Sequence, residues 1–196
     1  MKHPMRPKLT MPAAEAAHVG LCYGAADVIL EYGSGGSTVL AAKMPDKVIF
    51  TVESDADWMA DLQAWFDINP TPSRALLHHA DIGPTKAWGA PKSAASFRLW
   101  PGYPNSVWER PDFQAPDVVL IDGRFRLACL LTTMLRITRP TVALVDDYLE
   151  RPTYHTVEPL IAPTRMIGRM AQFDLQPFSL PADRLSWLID AYLRPL

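Results

Sequence analysis

An alternation narrows the fold more than any other feature of this chain. Short apolar runs, too brief for helices, recur at Asp27–Tyr32, Lys47–Glu53, Asp117–Asp122 and Thr141–Val145, with a weaker one at Arg74–Ala80. Helical spacing fills the intervals. Trp58, Leu62, Trp65 and Phe66 lead to Asn69-Pro70, and Phe125, Leu127, Leu130, Leu131, Met134 and Leu135 lead to Pro140. Strands alternating with helices predict βαβ units, right-handed crossovers and a largely parallel sheet covered on both faces. An alanine-rich helix is expected over Ala13–Ala26, ahead of the first strand. Ser37 or Thr38 is placed to cap a short helix that Pro45 stops, and Ser54 with Asp57 resembles a capping box. A further helix is expected from about Pro152. Near the end the alternation stops. Arg165–Gln176 and Leu185–Tyr192 read as two strands joined by a short Pro-containing turn, an antiparallel pair closing the sheet.

Composition sets the class. Of 196 residues, 48% are apolar and 20% charged, enough for a real core and too apolar for disorder. That length predicts a single domain spanning 1–196. Nineteen basic against 21 acidic side chains leave a net charge of −2, which gives no general attraction to nucleic acid or to an anionic membrane. Cys22 and Cys129 lie far apart with no metal spacing and read as reduced residues of a cytoplasmic protein. The basic start, Met1–Lys8, leads into no continuous apolar region, and no run approaches the ~20 residues of a membrane span. One stretch breaks the rhythm. Gly83–Ala115 holds five prolines and three of the six tryptophans, and an aromatic loop of this length suggests a lid.

The chemistry gathers at the strand ends. Glu31-Tyr32-Gly33-Ser34-Gly35-Gly36-Ser37-Thr38 closes the first strand, where glycines permit a tight turn and close approach of a ligand. Twenty residues past Gly33, Glu53 ends the second strand, placed to accept both hydroxyls of a ribose. A dinucleotide site is one reading, but Thr38 stands where its third glycine belongs. Glu31 would repel a pyrophosphate and suit a cofactor carrying positive charge.

With Asp81 ending the third strand and the antiparallel finish, the pattern resembles the class I S-adenosylmethionine-dependent methyltransferases from about Ala13 onward. The resemblance implies a Rossmann-like α/β fold: a mostly parallel seven-stranded sheet, an antiparallel last strand and helices on both faces. It implies that the turn of Gly33, Ser34, Gly35 and Ser37 lines the methionine and ribose. Glu31 would contact the cationic methionine end and Glu53 would hold the ribose hydroxyls. Asp81 would accept from the adenine amine, with the Ile82 N–H facing a ring nitrogen. Asp122 and Gly123 would close the other side of the methionine.

Asp122 and Asp146-Asp147 end adjacent strands, an oxygen cluster suited to Mg²⁺. The arrangement is similar to that of small metal-dependent O-methyltransferases, whose Asn place is here Asp147. The competing reading has no metal: Asp122 holds the cofactor's amino group and Asp146 caps a helix. Candidate bases are Asp122, Asp146 and His155. Arg124 and Arg126 are placed either to grip an anionic substrate or to form structural salt bridges. Trp88, Trp100 and Tyr103 of the aromatic stretch are candidate acceptor contacts. The expected activity is methyl transfer to an oxygen or nitrogen of a small molecule. The alternatives are a nicotinamide-dependent oxidoreductase and a non-catalytic protein that keeps the cofactor fold.

Overall fold

The computed structural model describes residues 7–195. Helix α1 (Ala13–Ala25) precedes strand β1 (Val28–Tyr32), which is followed by α2 (Gly36–Ala42), β2 (Val48–Glu53), α3 (Ala56–Ile68) and β3 (Ala75–His79). A small antiparallel hairpin comes next, β4 (Thr85–Lys86) with β5 (Ala90–Pro91), and then the one-turn helix α4 (Gly102–Asn105). The alternation resumes with β6 (Val118–Ile121), α5 (Arg126–Arg136) and β7 (Thr141–Val145), and the chain ends with β8 (Arg165–Ile167), β9 (Met170–Leu175) and α6 (Leu185–Tyr192). Seven strands form one sheet in the order β3-β2-β1-β6-β7-β9-β8. Pairing is parallel from β3 through β7, whereas β9 runs antiparallel to both β7 and β8. The expected mostly parallel sheet with an antiparallel finish is therefore present.

Apolar side chains cover both faces, since β1 and β6 are buried throughout and β2 from Ile49 onward. Leu30, Tyr32, Phe50, Val119 and Ile121 face α5 and the aromatic segment, while Ile29, Ile49 and Leu120 face α1 and α2. The order reverses between β1 and β6. A crevice at the carboxyl ends of these two strands is where open α/β sheets bind ligands.

Five sequence expectations need correction. The antiparallel pair comes wholly from Arg165–Leu175, which Gly168 (φ +53°) splits into β8 and β9. Leu185–Tyr192 is helix α6, since Trp187, Leu188, Ala191 and Tyr192 bury one helical face against the core. The N-cap of α2 is Gly35, whose N–H donates to Thr38 Oγ1 at 2.9 Å. The N-cap of α3 is Asp55, which accepts from the N–H groups of Asp57 and Trp58. The helix expected from Pro152 amounts to a single 3-10 turn, Tyr154–Val157.

The aromatic stretch divides in two. Its second part is core: Trp100, Tyr103 and Val107 are buried, and a chain of hydrogen bonds runs from Trp108 Nε1 to Tyr32 Oη (2.6 Å) and on to the Pro104 carbonyl (2.7 Å). The β4–β5 hairpin and, from the second part, Tyr103 reach the crevice. Trp88 at the hairpin tip is 82% exposed and holds the left-handed conformation (φ +65°).

Candidate functional site

A cavity of about 540 Å³ opens at the reversal point. That lies within the roughly 300–1,000 Å³ typical of small-molecule sites. Its floor is the bend after β1 and the turn after β6, and these two backbones touch. A Cβ on Gly33, which has φ +100°, would lie 2.8 Å from the Gly123 backbone, and one on Gly123 would meet Gly33 N at 2.8 Å and Tyr103 Oη at 2.2 Å. Glycine at both positions is a steric requirement of this contact.

Glu53 supplies the defining charge. The carboxylate faces the bend: Oε2 accepts from the Ser34 N–H (3.3 Å) and hydroxyl (3.0 Å), and Oε1 from the Ser54 (2.8 Å) and Asp55 (3.0 Å) N–H groups. Four donors hold the side chain in one orientation. The hairpin tip closes over it, since Gly89 (φ +65°) leaves no room for a side chain against Ser54 Oγ and Glu53 Oε1.

Of the residues expected to bind the cofactor, Gly33, Ser34, Gly35, Ser37, Glu53, Asp122 and Gly123 all line this cavity. Glu31 does not. Strand alternation turns it onto the opposite face, wholly buried, where it accepts from Tyr23 Oη (2.7 Å) and Thr38 Oγ1 (2.6 Å). Burial raises its carboxyl above the usual range, opposed by hydrogen bonds from Thr38 and Tyr23. Its work is to brace the glycine turn from below, through Thr38. Asp81 and Ile82 also lie outside. Asp81 accepts from the Gly83 N–H at 2.8 Å, fixing the approach to the hairpin, and Ile82 is buried in the core.

The acceptor contacts divide similarly. Trp88, Tyr103 and Arg124 line the cavity. Trp100 packs against Phe125 at 5.6 Å instead, and Arg126 is buried. The Arg126 guanidinium reaches Asp122 (3.1 Å) and Asp147 (2.9 Å), and it donates to the carbonyls of Asp146, Gly123 and Asp122. Arg169 from the β8–β9 turn grips Asp146 through two hydrogen bonds (3.1 and 2.7 Å) and also meets Asp147 at 3.0 Å.

The three carboxylates expected at the strand ends do come together, with one ligand atom from each within 4.8 Å of the others. Guanidinium groups already hold these oxygens, however, and a divalent cation would compete with Arg126 and Arg169 for them. This donor set fits an arginine-neutralised cluster better than a metal centre. Asp146 is 1% exposed and lies behind the cavity, so it is no candidate base. His155 is outside as well, stacked on Tyr148 at 4.7 Å with Nε2 by the Tyr148 carbonyl at 3.0 Å. Asp122 alone of the candidate bases faces the cavity. Burial pushes its carboxyl up to about 7, with Arg126 pulling down and Asp146 and Asp147 pushing up.

Sequence reasoning missed part of the wall. Residues 7–10 run as a strap across the glycine turn, and Lys8 and Leu9 line the cavity. A Cβ on Gly36 would fall 2.2 Å from Leu9 N, so the third glycine of the turn exists to let the strap cross. That extra glycine was its one trace in the sequence. Asp55 and Trp58 were missed too. Trp58 Nε1 donates to the Ser34 carbonyl at 3.0 Å, tying α3 to the bend.

No protein-family model matches the chain, and no curated protein does. Solved structures do. The O-methyltransferase TomG from Streptomyces achromogenes, involved in tomaymycin synthesis and solved with S-adenosylmethionine, aligns at 14% identity over 84% of this chain and 79% of its own, with a TM-score of 0.56. An O-methyltransferase from Bacillus cereus, solved with S-adenosylhomocysteine, aligns at 12% identity over 83% and 80%, with a TM-score of 0.55. At those identities the likeness is one of fold. A methyltransferase-like protein from Silicibacter pomeroyi is another matter: 47% identity over 97% of this chain and 99% of that one, with a TM-score of 0.94. The chain belongs to the family of that methyltransferase-like protein and has the fold of the class I S-adenosylmethionine-dependent methyltransferases.

Proposed function

We propose that this protein transfers a methyl group from S-adenosylmethionine to an oxygen or nitrogen of a small-molecule acceptor. One observation carries the reading: the Glu53 carboxylate is held by Ser34 against the Gly33 bend, on the wall of a single cavity that also contains Asp122. Glu53 would hold the ribose hydroxyls, while the Gly33–Gly35 and Asp122–Gly123 backbones cradle the methionine. When bound, S-adenosylmethionine supplies an electrophilic methyl group on a positively charged sulfur. The acceptor's lone pair would form the new O–CH₃ or N–CH₃ bond as the S–CH₃ bond breaks and S-adenosylhomocysteine leaves, and Asp122 would receive the acceptor's proton. Holding the reactants in line does most of the work. Tyr103 and Trp88 exclude water from the acceptor side. Arg126 and Arg169 supply beside Asp122 the positive charge that a divalent cation would otherwise bring, so the reaction is read as metal-independent.

S-adenosylhomocysteine at 100 times its Kd is expected to stabilise the fold by about 2.7 kcal/mol through mass action, read as a rise in Tm, and NAD at the same concentration is expected to give none. Stabilisation by NAD alone would make the protein an oxidoreductase. Turnover on an acceptor panel is expected to be unchanged in EDTA.

The rate should carry the signature of Asp122. As a base it works only when ionised, so kcat/KM is expected to rise with unit slope and level off above about pH 7. A profile that stays flat between pH 5 and 9 would remove Asp122 from proton transfer.

A further inference from the structure

Of the arginines beside the Asp122 cluster, one has no carboxylate partner among the described residues. The carboxylates of Asp122, Asp146 and Asp147 are answered by Arg126, Arg169 and, at 3.6 Å from Asp147, Arg151. Arg124 lies on the cavity wall beside this cluster and forms no ion pair among the described residues, and its Nε is buried with no hydrogen-bond partner among them. An unanswered buried donor costs about 1–3 kcal/mol, so the fold keeps Arg124 here at its own expense. Burial and the nearby Arg126 charge lower its pKa from the usual guanidinium value, the mark of a cation short of an anion.

A second donor stands next to it. Tyr103 Oη accepts from the backbone N–H of Arg124 at 3.3 Å, and its own proton goes to no described acceptor. Burial drives that phenol well above its ordinary value, so the proton stays on oxygen. Arg124, with its planar fork, and Tyr103, with its hydroxyl, both line the same cavity. A guanidinium fork matches the two oxygens of an oxyacid.

We propose that Arg124 and Tyr103 form an oxyanion subsite, and that the methyl acceptor is a small aromatic molecule bearing a carboxylate or phosphate besides the group that is methylated. The aromatic part of the claim rests on the ring-bearing walls, Tyr103 and Trp88. The subsite deepens the methyltransferase reading and depends on it for the word acceptor. Its preference for an oxyanion can be measured without that reading.

The test uses the full chain saturated with S-adenosylhomocysteine and three matched probe sets: the hydroxybenzoates, the hydroxyphenyl phosphates and the hydroxybenzamides. Binding is read by calorimetry and by saturation-transfer NMR. At least one anionic set is expected to bind tenfold or more tightly than the amides, and whichever set does so identifies the oxyacid. Arg124→Met should bring that set down to amide level, and Arg124→Lys, which keeps the charge and loses the fork, should fall between. Affinity for S-adenosylhomocysteine in Arg124→Met should stay within about threefold of the parent, which also controls for folding. The proposal is overturned if anions bind no better than amides, if neither binds, or if the preference survives in Arg124→Met. A tenfold loss of S-adenosylhomocysteine affinity in that variant would also overturn it, by giving Arg124 to the cofactor. Should the parent protein bind no S-adenosylhomocysteine, the methyltransferase reading fails, and the same probes on the free protein still decide the oxyanion preference.

Discussion

Replacing Glu53 by alanine is expected to weaken S-adenosylhomocysteine binding about 100-fold in calorimetric titration. Each hydrogen bond to a charged carboxylate contributes roughly 1.5–3 kcal/mol, and two hydroxyls on one carboxylate give about 2.7 kcal/mol after water has answered part of the loss. The side chain is already aimed, because Ser54 and Asp55 N–H groups fix one oxygen and Ser34 the other, so little ordering entropy offsets the gain. Alanine also strips those N–H groups of their acceptor. Glu53→Gln therefore accompanies it: the shape stays, the charge goes, and affinity should drop about tenfold. If the alanine variant melts near the parent temperature and binds as tightly, the cavity does not hold a ribose and the functional reading collapses with it.

The strands could be read because buried parallel strands are predominantly apolar, and β1, β6 and β7 announce themselves as short runs rich in Val, Ile and Leu. The bend at Gly33 and the carboxylate at Glu53 were legible for a related reason: both sit where a strand stops, and the stop is written in the residue types. What was lost needed either parity or distance. Glu31 carries the right charge two residues before the bend, yet strand alternation sends it to the face under α1 and α2, where Tyr23 and Thr38 are waiting. Counting alternate positions from Leu30 and Tyr32 would have exposed that error. Leu185–Tyr192 is eight residues, five of them Leu, Ile, Trp or Tyr, short enough to satisfy a strand pattern, and only its packing on the core shows the helical period. Arg169 is 23 residues from Asp146 and no spacing rule links them; the β8–β9 turn alone brings them together. The arginines after Asp122 were seen, but their division of labour was not. Arg126, on the first turn of α5, points back into the cluster, while Arg124 stays on the cavity wall.

That division makes Arg126 the position where one substitution should cost the most stability. Arg126→Met keeps the length and apolar stem of a buried side chain, and it leaves Asp122 and Asp147 without the guanidinium that both touch. Breaking one partner of a buried pair costs about 3–5 kcal/mol, and in a chain of this size that lowers Tm by roughly 10 °C. The loss should depend on pH in a definite direction. In the parent, folding raises the Asp122 carboxyl from 3.8 to about 7, so the fold favours the protonated form. The contribution of this group to stability accordingly falls as pH climbs from about 4 through about 7. Arg126 holds that rise in check, and without it the carboxyl moves higher still. The Tm difference between parent and variant should therefore be large at pH 8, where the carboxylate is charged and unanswered. It should shrink at pH 5, where a proton on Asp122 takes the place of the guanidinium and the lost contacts to Asp147 and to the carbonyls of Asp146, Gly123 and Asp122 remain. The same shift should carry the midpoint of the pH–rate profile upward, so that activity at pH 7 falls further than activity at pH 9. A Tm difference equal at both pH values would mean that Arg126 acts through packing and carbonyl contacts, with the carboxylates neutral partners in the fold.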